Sequence, residues 1–201
     1  MKLAQLPNAI TLSRIALVPV MIVALNDHDY RLALVLFVVA GLSDGLDGFL
    51  AKRFHLQSRL GGILDPLADK ILLVSAYVML TVLGQIPFWL MLTVAFRDLL
   101  IVGGYMVYTV HSGPVQMRPS ALSKLNTVVQ LTLVALILAQ QSFGFAAPLA
   151  VETLIGLVAV TTVASGAHYL WTWGVMHDIA PARNDTAGGA VPARRRGRRQ
   201  T

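Results

Sequence analysis

At 201 residues, 56% hydrophobic and only 13% charged, with a mean hydropathy of +0.67, the chain has the balance of a polytopic membrane protein and not of a soluble domain. It holds no cysteine, which excludes disulfides and thiolate metal sites, and its five histidines are too scattered to form a zinc-binding pair. The net charge of +6 is unevenly placed: residues 177–201 carry Arg183, Arg194, Arg195, Arg196, Arg198 and Arg199 against Asp178 and Asp185.

In chain order, residues 2–7 form a short interfacial segment ahead of Pro7, and six apolar segments follow at 8–26, 31–53, 60–83, 87–110, 121–141 and 149–175. A spanning helix needs about 20 apolar residues, which each segment supplies. The first follows a single Lys and lacks a small-residue cleavage site, so it reads as a retained span and not a signal peptide. The breaks carry loop chemistry: Asn26-Asp27-His28-Asp29, Gly84-Gln85-Ile86-Pro87, Ser112-Gly113-Pro114, Arg118-Pro119-Ser120 and Phe143-Gly144-Phe145. The first, third and fifth loops hold one cation, Arg31; the second holds Lys52, Arg53 and Arg59, and the fourth Arg118 with Lys124 just beyond. The positive-inside rule then puts both termini and the second loop in the cytoplasm. The predicted fold is an all-α membrane protein, a bundle of six transmembrane helices over residues 1–176. A disordered basic cytoplasmic tail follows at 177–201, topogenic and suited to gripping anionic headgroups.

The second and third segments are unusual. Asp44, Asp47, Asp65 and Asp69 stand in sequence apolar enough to cross a bilayer, where each ionised Asp at a helix centre costs about 2.5–3.5 kcal/mol on insertion scales. Asp44 and Asp47 are spaced i, i+3 and Asp65 and Asp69 i, i+4, so each pair shares a helix face. The short loop between them makes spans two and three antiparallel neighbours whose carboxylates converge in one cytoplasm-facing cavity. Oxygen-only ligands select a hard cation, Mg²⁺ or Mn²⁺, and magnesium sites of this kind take substrate phosphates as well. Gly45, Gly48, Gly61 and Gly62 serve either close approach of a ligand or helix packing. No inverted repeat of the Asp-bearing unit is seen, which weighs against repeat-built transporters.

The run from Asp44 to Asp69 resembles the signature of the CDP-alcohol phosphotransferases, Asp-x2-Asp-Gly-x2-Ala-Arg-x8-Gly-x3-Asp-x3-Asp, departing only where Lys52 replaces the Arg. The resemblance extends from about Pro7 to Trp173 and implies integral membrane enzymes of six helices, usually homodimeric, that displace CMP from a CDP-alcohol with an acceptor hydroxyl. It implies that Asp44, Asp47 and Asp65 hold metal ions, that two ions are present, and that Asp69 joins the ligand set and acts as base. It also implies that Gly48, Ala51 and Gly61 line the nucleotide pocket, with Asn8, Thr11 and Arg14 beside it. Lysine keeps the charge of the family's Arg but not its bidentate fork, so Lys52 makes a point-charge contact with phosphate.

Within the family, the chain is similar to two lipid branches that use CDP-diacylglycerol, one with phosphatidylglycerol as acceptor (making cardiolipin) and one with glycerol 3-phosphate. Ser123-Lys124-Leu-Asn126-Thr127-x2-Gln130 resembles the cardiolipin branch, and Arg97-Asp98 lacks the second Arg that follows in the other. Arg97, Arg118, Lys124 and Asn126 are the candidate acceptor-binding residues. Arg97 and Asp98 also read as a mutually neutralising pair, and Arg118 and Lys124 as topogenic loop charges. Membrane lipids are the implied surroundings, a bacterial inner membrane the implied location, and nucleic acid is not an implied partner. A cation or proton transporter using the acidic cavity predicts flux without CMP release, and an inactive lipid-binding relative predicts neither.

Overall fold

The structure, a computed structural model, describes residues 6–54, 61–112 and 121–179, and the side chains of 12–43, 68, 70–103 and 121–171. These residues form six helices and no strand: α1 Leu6–Asn26, α2 Tyr30–Phe54, α3 Gly61–Val82, α4 Phe88–Ser112, α5 Ala121–Phe143 and α6 Pro148–Ile179. The helices match the six apolar segments to within a few residues. Of the expected interfacial segment, Leu6 and Pro7 already belong to α1, where a proline in the first turn sacrifices no hydrogen bond; residues 2–5 lie outside the described residues. So does most of the expected tail, although α6 runs on to Ile179.

Three short turns reverse the chain, and each is set by a left-handed residue. At Gly84 (φ 72°) the Gln85 N–H donates to the Leu80 carbonyl and the Gly84 N–H to that of Thr81, the paired bonds of a Schellman cap. His28 (φ 60°) builds the same cap on α1, from Asp29 N–H to Ala24 and His28 N–H to Leu25. At Gly144 (φ 68°) a single bond to the Gln140 carbonyl closes α5. Asp29 then caps α2, its Oδ1 accepting the Leu32 N–H at 3.0 Å.

All three turns lie at one end of the bundle. Arg31 Nε donates to the Ser142 carbonyl at 3.2 Å, and Gln141 Nε2 to Gln85 Oε1 at 2.7 Å, so the turns after α1, α3 and α5 touch one another. Helices α1, α3 and α5 therefore run one way and α2, α4 and α6 the other. Side-by-side packing closes a ring in the order α1, α2, α5, α6, α4, α3. One expectation needs correcting here. Helices α2 and α3 run antiparallel but touch only slightly, because α1 is wedged between them and packs on both. A short connection in sequence therefore did not enforce adjacency.

The interior is zoned. Toward the turns it is apolar, with Met21, Leu25, Leu80, Leu90, Leu133, Ile137 and Leu138 almost fully buried. Toward the opposite end the buried side chains include Arg14, Arg97, Asp98, Asn126, Gln130, Thr161, Thr162 and Ser165. The outside is apolar too: Val20, Val35, Leu92, Val128 and Val160 are all exposed, a surface that suits hydrocarbon better than water. Among the described residues, α5 and the Pro148–Trp171 part of α6 are long and apolar enough to cross a membrane by composition; Leu12–Asn26, Tyr30–Ser43 and Lys70–Val82 are shorter apolar runs.

Candidate functional site

The alternating directions carry both halves of the aspartate motif to the end away from the turns. Helix rise places Asp44 and Asp69 each about 20 Å from the turn end of their helices, and Asp47 and Asp65 each about 25 Å. Two aspartate positions on α2 thus stand level with two on α3. Gly48, Ala51 and Lys52 follow along α2, Gly61 opens α3, and Asn8 and Thr11 lie in the first turns of α1. The side chains of these residues lie outside the described ones, and Arg118 lies outside altogether.

Arg14 is described. It projects from the wedged helix α1 near the same level and is 1% exposed. Burying a guanidinium so completely is costly unless it is paired and hydrogen-bonded, and Arg14 does make polar contacts.

Across the ring, the second group of sequence candidates forms a connected network. Arg97, on α4 and 5% exposed, donates from Nη1 to Asp98 Oδ1 at 2.7 Å, and from Nη2 to the hydroxyls of Ser123 on α5 and Ser165 on α6, each at 2.7 Å. The other oxygen of Asp98 holds Lys70 Nζ of α3 at 2.7 Å. One carboxylate therefore bridges two cations, and four helices meet through charge-assisted bonds, the stronger class of hydrogen bond. The pairing of Arg97 with Asp98 read from the sequence is present. Gly166 of α6 lies beside the Arg97 stem, where an added Cβ would make an ordinary contact with Cγ at 3.7 Å.

One turn along α5, Asn126 is fully buried, and its Oδ1 accepts from the hydroxyls of Thr161 at 2.8 Å and Thr162 at 2.9 Å. Its Nδ2 has no hydrogen-bond partner among the described residues, nor do Gln130 Nε2 and Arg97 Nε. Buried donors are rarely left unmet, and the Tyr77 hydroxyl is another of this kind. Lys124, by contrast, is exposed at the start of α5. The described residues contain no cluster of three metal-ligating side chains.

Sequence reasoning missed Lys70, Ser123, Ser165, Thr161 and Thr162 as members of this assembly. Some signal was there. Lys70 directly follows the last motif Asp, and Thr161 and Ser165 are hydroxyls at i, i+4 in an otherwise apolar helix. That spacing puts them on one face but does not name the helix they face.

Comparison with known proteins bears on this arrangement. The family model for CDP-alcohol phosphatidyltransferase matches residues 4–171. The chain is 37% identical to human cardiolipin synthase (CMP-forming) over 180 residues, covering 82% of this chain and 60% of that protein, and 36% identical to the rat protein over the same shares. It is 32% identical to the CDP-diacylglycerol–glycerol-3-phosphate 3-phosphatidyltransferase of Bacillus subtilis (strain 168), covering 82% of this chain and 93% of that one. The chain thus spans about 60% of the length of the human and rat relatives.

Proposed function

The chain belongs to the CDP-alcohol phosphatidyltransferase family, and from that premise we propose that it transfers a phosphatidyl group from CDP-diacylglycerol to an acceptor alcohol and releases CMP. The acceptor we propose is phosphatidylglycerol, which makes the product cardiolipin. In this reading all six helices cross the bilayer, the motif end faces the cytoplasm, and the protein is a homodimer in the lipid environment. The positive loops and the apolar outer surface support that placement.

The donor set fits a hard divalent cation. Asp44, Asp47, Asp65 and Asp69 offer only carboxylate oxygens, two from each helix at one level, and are the residues that would hold Mg²⁺ or Mn²⁺. When bound, such ions would neutralise charge on the diphosphate and on departing CMP. Asp69 removes the acceptor hydroxyl proton. Gly48, Ala51 and Gly61 admit the nucleotide closely, and Arg14, Lys52, Asn8 and Thr11 bind and orient the CDP group. The acceptor lies against α4 and α5, where the unmet N–H donors of Asn126 and Gln130 take its oxygens. Lys124 stands at the cytoplasmic rim of that region, and Arg118, six residues earlier in sequence, is proposed to serve the same acceptor.

The observation that carries the choice of acceptor is the commitment of Arg97. Its Nη1 and Nη2 bond internally, and the one carboxylate beside it is shared with Lys70. A free phosphomonoester carries up to two charges and wants several uncommitted cations, whereas a phosphodiester carries one and needs fewer. Glycerol 3-phosphate is the second reading, favoured by the near full-length match to the Bacillus protein. The test is purified protein in detergent with CDP-diacylglycerol, Mn²⁺ or Mg²⁺, and either acceptor, with CMP and lipid product both measured. Cardiolipin formed from phosphatidylglycerol is the expected result. Product from glycerol 3-phosphate alone would move the acceptor assignment, and no CMP with any alcohol, with ion flux in liposomes, would replace the enzyme by a transporter.

A further inference from the structure

We infer that Asp98 is a positioning residue: by gripping Lys70 it sets the rotation of α3 that presents Asp69 to the acceptor side of the site. The inference rests on the role proposed above for Asp69. Helix α3 packs chiefly on α1 and meets α4 and α5 only lightly. Packing alone therefore leaves its rotation toward α5 weakly determined near the motif end. The polar chain supplies what packing does not. Lys70 Nζ reaches Asp98 Oδ2 at 2.7 Å, Asp98 Oδ1 accepts from Arg97 at 2.7 Å, and Arg97 passes on to Ser123 of α5 and Ser165 of α6, both at 2.7 Å.

Each oxygen of Asp98 thus holds one cation, and the Arg97 bond cannot be given up without leaving a charge uncompensated in a largely buried place. The carboxylate side chain is 11% exposed and the Arg97 side chain 6%, while that of Lys70 is 39% exposed. Lys70 is the neighbour of Asp69 on the same helix. A rotation of α3 that slackens the Lys70 contact swings Asp69 by the same angle, and small displacements of a reacting group cost large factors in rate. Ser123 begins the Ser123-Lys124-Leu125-Asn126 stretch of α5, so the chain of bonds links the base to the segment proposed to hold the acceptor.

The test is a double-mutant cycle in the CMP-release assay. Asp98→Asn and Lys70→Met are each expected to lower kcat at least tenfold with the KM for CDP-diacylglycerol within threefold, because the nucleotide side on α1 and α2 is untouched. Lys70→Met/Asp98→Asn is expected to cost no more than the worse single change, since both break one tether. The chain has no cysteine, so Lys70→Cys/Asp98→Cys is a unique pair. A short bis-methanethiosulfonate bridge between them is expected to restore kcat at least fivefold over the unbridged double variant, which a purely electrostatic role would not allow. Where Asp98→Asn does not fold, Lys70→Met and the bridged pair carry the test. Single changes that multiply, a loss confined to KM, or unchanged turnover would overturn the inference. Failure of the unsubstituted protein to release CMP would instead sink the reading of the function.

Discussion

Replacing Asn126 by Leu separates its role in the fold from its role toward a ligand. The side chain is fully buried, with two threonine hydroxyls on Oδ1 and nothing on Nδ2. Leu deletes two hydrogen bonds, each worth about 1 kcal/mol in general and nearer 0.6 kcal/mol in membrane bundles. It also removes an unmet buried amide N–H₂, whose desolvation costs about 1–3 kcal/mol. Thr161 can turn its one hydroxyl proton to the Leu157 carbonyl, 2.7 Å away, so only the buried Thr162 hydroxyl is left unmet, at a cost like that relieved at Nδ2. These terms nearly cancel, and the stability of Asn126→Leu should lie within about 1 kcal/mol of the parent. If Nδ2 serves a substrate phosphate oxygen, however, the variant forfeits a hydrogen bond to a charged group, worth about 1.5–3 kcal/mol, and turnover falls at least about tenfold. Stability is read from SDS titration in mixed micelles by far-UV circular dichroism, and turnover from CMP release. A destabilisation beyond about 2 kcal/mol would refute the assignment of Nδ2 as unmet, and full turnover would refute its role toward the substrate.

The caps give paired predictions of opposite sign. Gly84→Ala should destabilise by about 1 kcal/mol, since a Cβ there meets no atom within 4 Å and only the positive φ resists it; His28→Gly, at the equivalent turn, should stabilise by less in the same SDS titration, because it also gives up the 3.1 Å contact of Nδ1 with the Asn26 carbonyl and the edge contact with Tyr30. Asp69→Asn should abolish turnover while CDP-diacylglycerol binding, followed by isothermal calorimetry, is largely kept; normal activity would remove Asp69 as the base. Chelation with EDTA should stop CMP release and an excess of Mn²⁺ or Mg²⁺ restore it, with persistent activity counting against the carboxylates as ligands. Arg31→Ala should change stability by no more than about 0.5 kcal/mol, because the side chain is exposed and its single bond to the Ser142 carbonyl is 3.2 Å long.

Much of this was legible in one dimension because the forces behind it are local. Apolar runs broken by Gly, Pro and Asn bound the six helices to within a few residues, since a helix satisfies its own backbone and its ends need only nearby capping groups. Four aspartates in apolar sequence mark a site by their cost alone, and their spacing assigns each pair to one helix face. Pairing between helices is a different matter. Nothing local says that α1 wedges between α2 and α3, because an apolar helix packs acceptably on several neighbours and only the sum over all six contacts selects the ring. Arg97 and Asp98 were readable as a pair of adjacent charges. That Lys70, Ser123 and Ser165 complete the cluster depends on side chains far apart in sequence brought within hydrogen-bond reach, which tertiary structure alone decides. The same holds for Asn126: its residue type suggested a role, but only the packing of α5 on α6 determined which end of its amide is satisfied and which is left unmet.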